Sequence, residues 1–247
     1  MMLAAHGFTL SGRLDAVTLA LHRGEVTAIC GPNGAGKSSL LACLAGLLHG
    51  GPDTVTLDGY AIEKIDPRER ARAIGYLPQS AELAWDLSVE TLAGLGRLPW
   101  NAGPVEDRAE VEAALAAMEL DALRQRPVSQ LSGGEKARAL LARVLAGTPS
   151  WLLADEPLAN LDLAHQLALL AHFRALAGQG LGVVLVLHDL AHAINHADRV
   201  VVLQGGRVAA DGAPEQALAE PVLAKVWGVG ARWLGDPGQR ALGFEPT

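Results

Sequence analysis

The octapeptide Gly31, Pro32, Asn33, Gly34, Ala35, Gly36, Lys37, Ser38 narrows the possible folds of this chain more than any other feature. It fits the pattern G-x-x-x-x-G-K-[ST]. Residues 25–30 before it form an apolar, strand-like run, and residues 38–48 after it repeat apolar positions at helical spacing. Strand, glycine-rich loop and helix are the context in which such a loop binds phosphate. Glycines at 31, 34 and 36 let backbone amides converge on an anion, the helix N-terminus adds the positive end of its dipole, and Lys37 adds a full charge. The Ser38 hydroxyl is placed to ligate magnesium, with Ser39 beside it at the helix start. A solvated glycine-rich turn is the bland alternative, and the flanking strand and helix argue against it.

The rest of the chain agrees with an α/β class. Residues 151–154 and 183–187 are continuous apolar runs, as expected of parallel strands covered on both faces. Helices are predicted over 67–73 and 163–177, a short strand over 74–77 stopped by Pro78, a hairpin from 199–203 and 207–210, and short helices over 214–219 and 221–227. Residues 50–59 are a polar, Gly/Asp-containing stretch. From Gln79 to about Arg126 the pattern is helical, and beyond Gly228 little is legible. Half of the residues are hydrophobic but only 4% are aromatic, so the core must be aliphatic. Cys30 and Cys43 have no partner at redox or metal spacing. A net charge of −7 without a Lys/Arg block argues against a nucleic-acid surface. No stretch approaches the roughly 18 uninterrupted apolar residues of a membrane span, and the first ten residues do not read as a signal peptide, so a cytoplasmic location is expected.

Further motifs add chemistry. Asp155 and Glu156 end the apolar run at 151–154. The first can hold magnesium and the second can deprotonate an attacking water. Leu131, Ser132, Gly133, Gly134 and Glu135 carry the S-x-x-E spacing of a capping box, which opens a helix over 136–146. Capping does not explain the two glycines, since each weakens a first turn by about 1 kcal/mol relative to Ala; bare amides approaching a phosphate would. His188, His192 and His196 recur every four residues, but His188 ends a strand and leaves the helical face, so a surface pair at 192 and 196 is expected rather than a zinc site.

With the Walker A loop, LSGGE and the Asp155–Glu156 pair in this order, the chain resembles the ATPase subunits of ABC transporters from about Leu14 to about Gly228. Gln79 matches the family's Q-loop, Leu161 and Asp162 its D-loop, and His188 its switch histidine. The resemblance implies a P-loop (RecA-like) α/β core with an antiparallel β subdomain and an inserted helical signature subdomain. It places one ATPase domain over 1–230, with the core at 1–78 and 147–230 and the helical part at 79–146, followed by a tail at 231–247. It further implies ATP and Mg2+ as ligands. The nucleotide would lie on Gly31 to Ser39 of one subunit and on Ser132, Gly133, Gly134 and Glu135 of the other in a homodimer. Magnesium would sit on Ser38, Gln79 and Asp155, and catalysis would involve Glu156, His188 and Gln79. The dimer would attach to a polytopic permease at the cytoplasmic face of the inner membrane, with a substrate-binding protein acting indirectly.

Two departures stand out. Residues 11–14 are shortened where the family carries an adenine-stacking aromatic, and Phe8 nearby reads as a core residue. Ala159 replaces a common serine before the D-loop. Residues 161–167, 188–190, 206–214 and the tail resemble importers of iron–siderophore, haem and cobalamin. A soluble ABC ATPase acting on an iron–sulfur scaffold is the alternative.

Overall fold

The elements follow from the local chemistry almost run by run. The computed structural model describes residues 2–50, 54–79 and 86–244. In chain order these carry β1 (Met2–Leu10), β2 (Leu14–His22), β3 (Val26–Cys30), α1 (Lys37–Leu44), β4 (Val55–Leu57), β5 (Tyr60–Ala61), α2 (Pro67–Ala73), β6 (Ile74–Leu77), α3 (Val89–Gly94), α4 (Pro104–Ala117) and α5 (Gly133–Ala146). There follow β7 (Trp151–Asp155), α6 (Leu163–Gly178), β8 (Gly182–Val186), α7 (Leu190–His196), β9 (Arg199–Gln204), β10 (Arg207–Gly212), α8 (Pro214–Ala217), α9 (Glu220–Trp227), β11 (Ala231–Leu234) and β12 (Ala241–Phe244).

The chain divides into two compact units, Met1–Ile65 with Phe173–Thr247, and Asp66–His172. In the first, an antiparallel sheet runs in the order β2-β1-β4-β5. Phe8, 2% exposed, fills its core as expected. The same unit holds β3 between β8 and β9, parallel to both, with β10 antiparallel on β9. Every residue of β3 and of β8 is buried, which is why both read as unbroken apolar runs. Helix α1 packs on β1 and β8. In the second unit, α3, α4 and α5 pack on one another, and β6 pairs in parallel with β7. Leu92, Leu115, Met118 and Trp151 are fully buried there. The fold is thus mixed α/β, with an antiparallel sheet and a parallel phosphate-loop sheet.

Helix starts follow their caps. Asp66 accepts from the Arg68 and Glu69 amides ahead of α2, Ser88 from Thr91 ahead of α3, and Asp189 from Ala191 ahead of α7. The departures from expectation have local causes. Helix α1 ends at Leu44 rather than near 48 because the chain turns at Gly46 and the Leu47 amide donates back to Ala42. The polar stretch 50–59 contains β4, which joins β5 through the left-handed pair Asp58 and Gly59; residues 51–53 lie outside the described residues. The illegible tail forms the hairpin of β11 and β12, tied down by Trp233 Nε1–H to Leu218 O and by two bonds between Asn195 and Arg240. Within 79–126 the described residues are helices and turns, plus one isolated bridge between Ser88 and Pro127.

Candidate functional site

The phosphate loop leaves the buried end of β3. Gly31 has φ +151°, and a Cβ there would lie 2.2 Å from the Leu203 carbonyl oxygen, so the neighbouring β9 backbone admits only glycine. Gly36, with φ +100°, is equally enclosed, its would-be Cβ 2.8 Å from Arg13 O. The Gly206 amide donates to Ala35 O and closes the far side of the loop. Lys37 is only 6% exposed, and its ammonium donates to Gly31 O at 2.9 Å and to Pro32 O at 3.1 Å. A positive charge is thereby held within the loop. Pro32, Asn33, Ala35, Ser38 and Ser39 complete the same turn and first helical turn.

The start of α1 is built differently from the other helix starts. Helices α2, α3, α5 and α7 have a side-chain cap, and ahead of α6 the Asp162 carboxylate accepts the His165 amide, while α4, α8 and α9 begin with proline and an acidic residue. Helix α1 has Gly36 at its cap without a side-chain bond and no acid in its first turn. An anion fits the place of the missing cap, and the residues present suit a nucleotide's phosphates. Cys30 beneath the loop is chemically quiet, since burial pushes its thiol up to about 12.

In the same unit His188 is exposed in the turn between β8 and α7 and stands apart from the helix that carries His192 and His196. Those two rings are 6.0 Å apart and half-buried rather than free on the surface, and burial lowers His196's pKa. Among the described residues no group of three His, Cys, Asp or Glu could hold a metal.

The second unit brings the acids and the glutamine together. Register does this: Leu77 of β6 pairs with Ala154 of β7, so the residues that follow each strand run side by side. Asp155 is 4% exposed at the end of β7, and its charge, after burial, raises the Tyr76 pKa. Glu156 follows in a left-handed conformation, φ 51°, and accepts a bond of 2.6 Å from Gln79 Nε2. A cleft of about 430 Å³ opens there, lined in part by Gln79, Gly133, Lys136, Glu156 and Asn160. Lys136 and Asn160 carried no sequence signal of their own; their place follows from the helical turn after Ser132 and from Asn160's left-handed backbone, φ 61°.

The start of α5 is a complete capping box. Ser132 Oγ accepts the Glu135 amide at 3.3 Å, and Glu135 Oε2 accepts the Ser132 amide at 2.8 Å. That Ser132 bond is the first cause holding the Glu135 carboxyl below its usual range. Ser132 and Gly133 face solvent, whereas Gly134 is buried.

Comparison with known proteins adds to this geometry. A family model described as ABC transporter matches residues 14–159. The Hemin import ATP-binding protein HmuV of Streptomyces coelicolor is 45% identical over 222 residues, which cover 88% of this chain and 79% of that protein. Among solved structures, cbiO1 from Clostridium perfringens, part of the ABC transporter complex cbiONQ, matches with a TM-score of 0.80 at 27% identity over 90% of this chain and 92% of its own. A bacterial ABC transporter cassette solved as a dimer matches with a TM-score of 0.75 at 26% identity, covering 86% of this chain and 98% of its own.

Proposed function

We infer that this chain, which belongs to the ABC transporter family, is the ATP-hydrolysing subunit of an importer for haem or a chemically related iron chelate or corrinoid. It binds ATP and hydrolyses it, and the observation that carries the reading is the phosphate loop: an uncapped helix start with a buried lysine held inside a glycine cradle.

The residues divide the work as follows. Amides from Gly31 to Ser39 cradle the phosphates, and Lys37 exchanges the Gly31 and Pro32 carbonyls for phosphate oxygens, a swap between acceptors for an ammonium that is already buried. Glu156 takes the proton of the attacking water, and the Gln79 amide fixes which carboxylate oxygen points at it. Ser38, Asp155 and Gln79 would hold Mg2+, which would neutralise charge developing on the phosphates. His188, exposed at the end of β8, is assigned to the γ-phosphate. Glu156 leads into the turn that continues to Asp162, so residues that sense the nucleotide are continuous with the cleft beside α5.

In α5 the box of Ser132 and Glu135 leaves Gly133 bare towards solvent, and residues 132–135 are assigned to the ATP of a second subunit in a homodimer. The dimeric cassette among the similar structures supports that assignment. No helix among the described residues is long and apolar enough to cross a membrane, so attachment to the cytoplasmic face is assigned to docking on a polytopic permease, fed by a substrate-binding protein. The division into a core at 1–78 and 147–230, a helical part at 79–146 and a tail at 231–247 is retained as part of the proposal.

The test is uptake. Cells whose subunit carries Lys37→Ala should lose uptake of labelled haem, and the parent subunit should bring down a polytopic membrane protein from solubilised membranes. Unchanged uptake of haem, iron chelates and corrinoids alike, with capture of soluble iron–sulfur scaffold proteins only, overturns the importer reading.

A further inference from the structure

The two glycines that open α5 have different surroundings. A Cβ built on Gly133 meets ordinary contacts only, Asn160 O at 3.6 Å and Leu161 Cδ2 at 3.8 Å. A Cβ on Gly134 lands 2.0 Å from His165 Cδ2 and 2.6 Å from that ring's Cγ and Nε2. No side chain fits at 134 while the imidazole keeps its place. The ring is held from its other edge, because Nδ1 lies 2.7 Å from Asp162 Oδ1, which also accepts the His165 backbone amide at 2.9 Å. Gln166 ties the same turn by donating to Leu158 O at 3.3 Å and Leu161 O at 3.0 Å. One imidazole therefore connects the turn that follows Glu156 to the first turn of α5.

We propose that His165 is a positioning residue that clamps the turn at 156–162 onto the start of α5, and that Gly134 is glycine to receive its ring, whereas Gly133 is the glycine that a second subunit's nucleotide requires. The assignment of Gly133 rests on the reading of the exposed start of α5, Ser132 and Gly133, as phosphate-facing. It separates two demands that sequence alone merges into one pair of glycines. The clamp ties Ser132 and Gly133, assigned to the second subunit's ATP, to the turn that leads from this subunit's own Glu156, so the cleavage step, which needs both surfaces in place across the dimer, depends on it, while binding of nucleotide to the phosphate loop does not.

A cavity of about 330 Å³ borders the contact, lined by Glu119, Arg138, His165 and His172 among others. It gives the ring somewhere to go. Gly134→Ala therefore need not unfold the protein; it drives the imidazole aside and breaks its bond to Asp162.

The experiment is a double-mutant cycle on the full-length protein, read by thermal unfolding, by affinity for a fluorescent ATP analogue and by steady-state ATPase. Gly134→Ala should lower Tm by at least about 4 °C. In a His165→Ala background the same substitution should cost nothing or raise Tm, because Ala is the better helix former once the ring is gone. Gly134→Ala and His165→Ala should each lower kcat about tenfold while analogue affinity stays within about twofold, and the double variant should be no slower than His165→Ala alone. His165→Asn, whose amide can still donate to Asp162, should recover most of kcat. An equal Tm loss from Gly134→Ala in both backgrounds overturns the clamp, as does a His165→Asn variant as slow as His165→Ala. Gly133→Ala should leave Tm unchanged yet suppress ATPase; parental turnover there, with the Tm cycle intact, overturns the phosphate reading and leaves the clamp standing.

Discussion

Glu156 holds a backbone conformation that costs a non-glycine residue on the order of 1 kcal/mol or more, and the turn around it keeps that conformation through the Ala159 amide on the Glu156 carbonyl. The strain fixes where the carboxylate sits, and Gln79 fixes how it is turned. Glu156→Gln preserves both, since the new side-chain carbonyl can still accept from Gln79, but it removes the carboxylate assigned as the base. Loss of a general base costs roughly 10²–10⁴ in rate, about 3–5 kcal/mol. Steady-state ATPase should fall by that factor while ATP binding persists, and size-exclusion chromatography with ATP should show a trapped dimer. Turnover within a factor of two of the parent would falsify the assignment. The identities of both residues were legible as motifs, but their bond was not: it depends on β6 and β7 pairing in the register that sets Leu77 opposite Ala154.

At the scale of elements, α5 is where stability and chemistry overlap. Ser132→Ala removes the cap and should cost about 1 kcal/mol, a fall of roughly 2–4 °C in Tm. Ser132→Arg loses the same cap and in addition places a bulky cation where the opposite subunit's nucleotide is assigned, so it should abolish ATPase with a similar Tm change. Mixing it with Lys37→Ala subunits should restore part of the activity, because the mixed dimer contains one site with an intact phosphate loop and an intact α5 start. No recovery on mixing, with each variant folded, would argue against a composite site. The opening of α5 could be read from Ser132 and Glu135 because a capping box is local chemistry. The reason for Gly134 could not, because it lies in His165, on another helix. For the same cause the hairpin of β11 and β12 is not legible in the sequence: its anchors, Leu218 and Asn195, are contacts across the fold that leave no periodicity in the tail. Continuous apolar strands such as β3 and β8 were legible because burial on both faces writes itself into every residue.

For the molecule as a whole, attachment to a permease needs an exposed surface that keeps its shape unaided. The helical stretch that begins at Gln79 holds one; Trp85 within it lies outside the described residues, but residues 97–105 have the required character. Leu98 is 71% exposed and Val105 85% exposed, an apolar pair that the described residues leave open to solvent. Between them Trp100 is anchored, its Nε1–H on Gly147 O and the Arg72 and Arg97 guanidiniums 5.0 and 4.9 Å from its ring centre. Arg97 is itself pinned to Asp107 and to Ala146 O. A rigid stretch carrying exposed apolar side chains suits docking better than it suits solvent. Leu98→Asp and Val105→Asp should leave Tm within about 1 °C of the parent, since neither side chain is packed, and basal ATPase within about twofold. Haem uptake should drop about tenfold or more, and the permease should be lost from pull-downs, because a carboxylate buried without a partner in an interface costs several kcal/mol. If uptake and capture both survive the double substitution, the permease docks elsewhere on this chain. A fall in basal ATPase of the isolated subunit would instead place this stretch in the coupling between nucleotide and fold, not in docking.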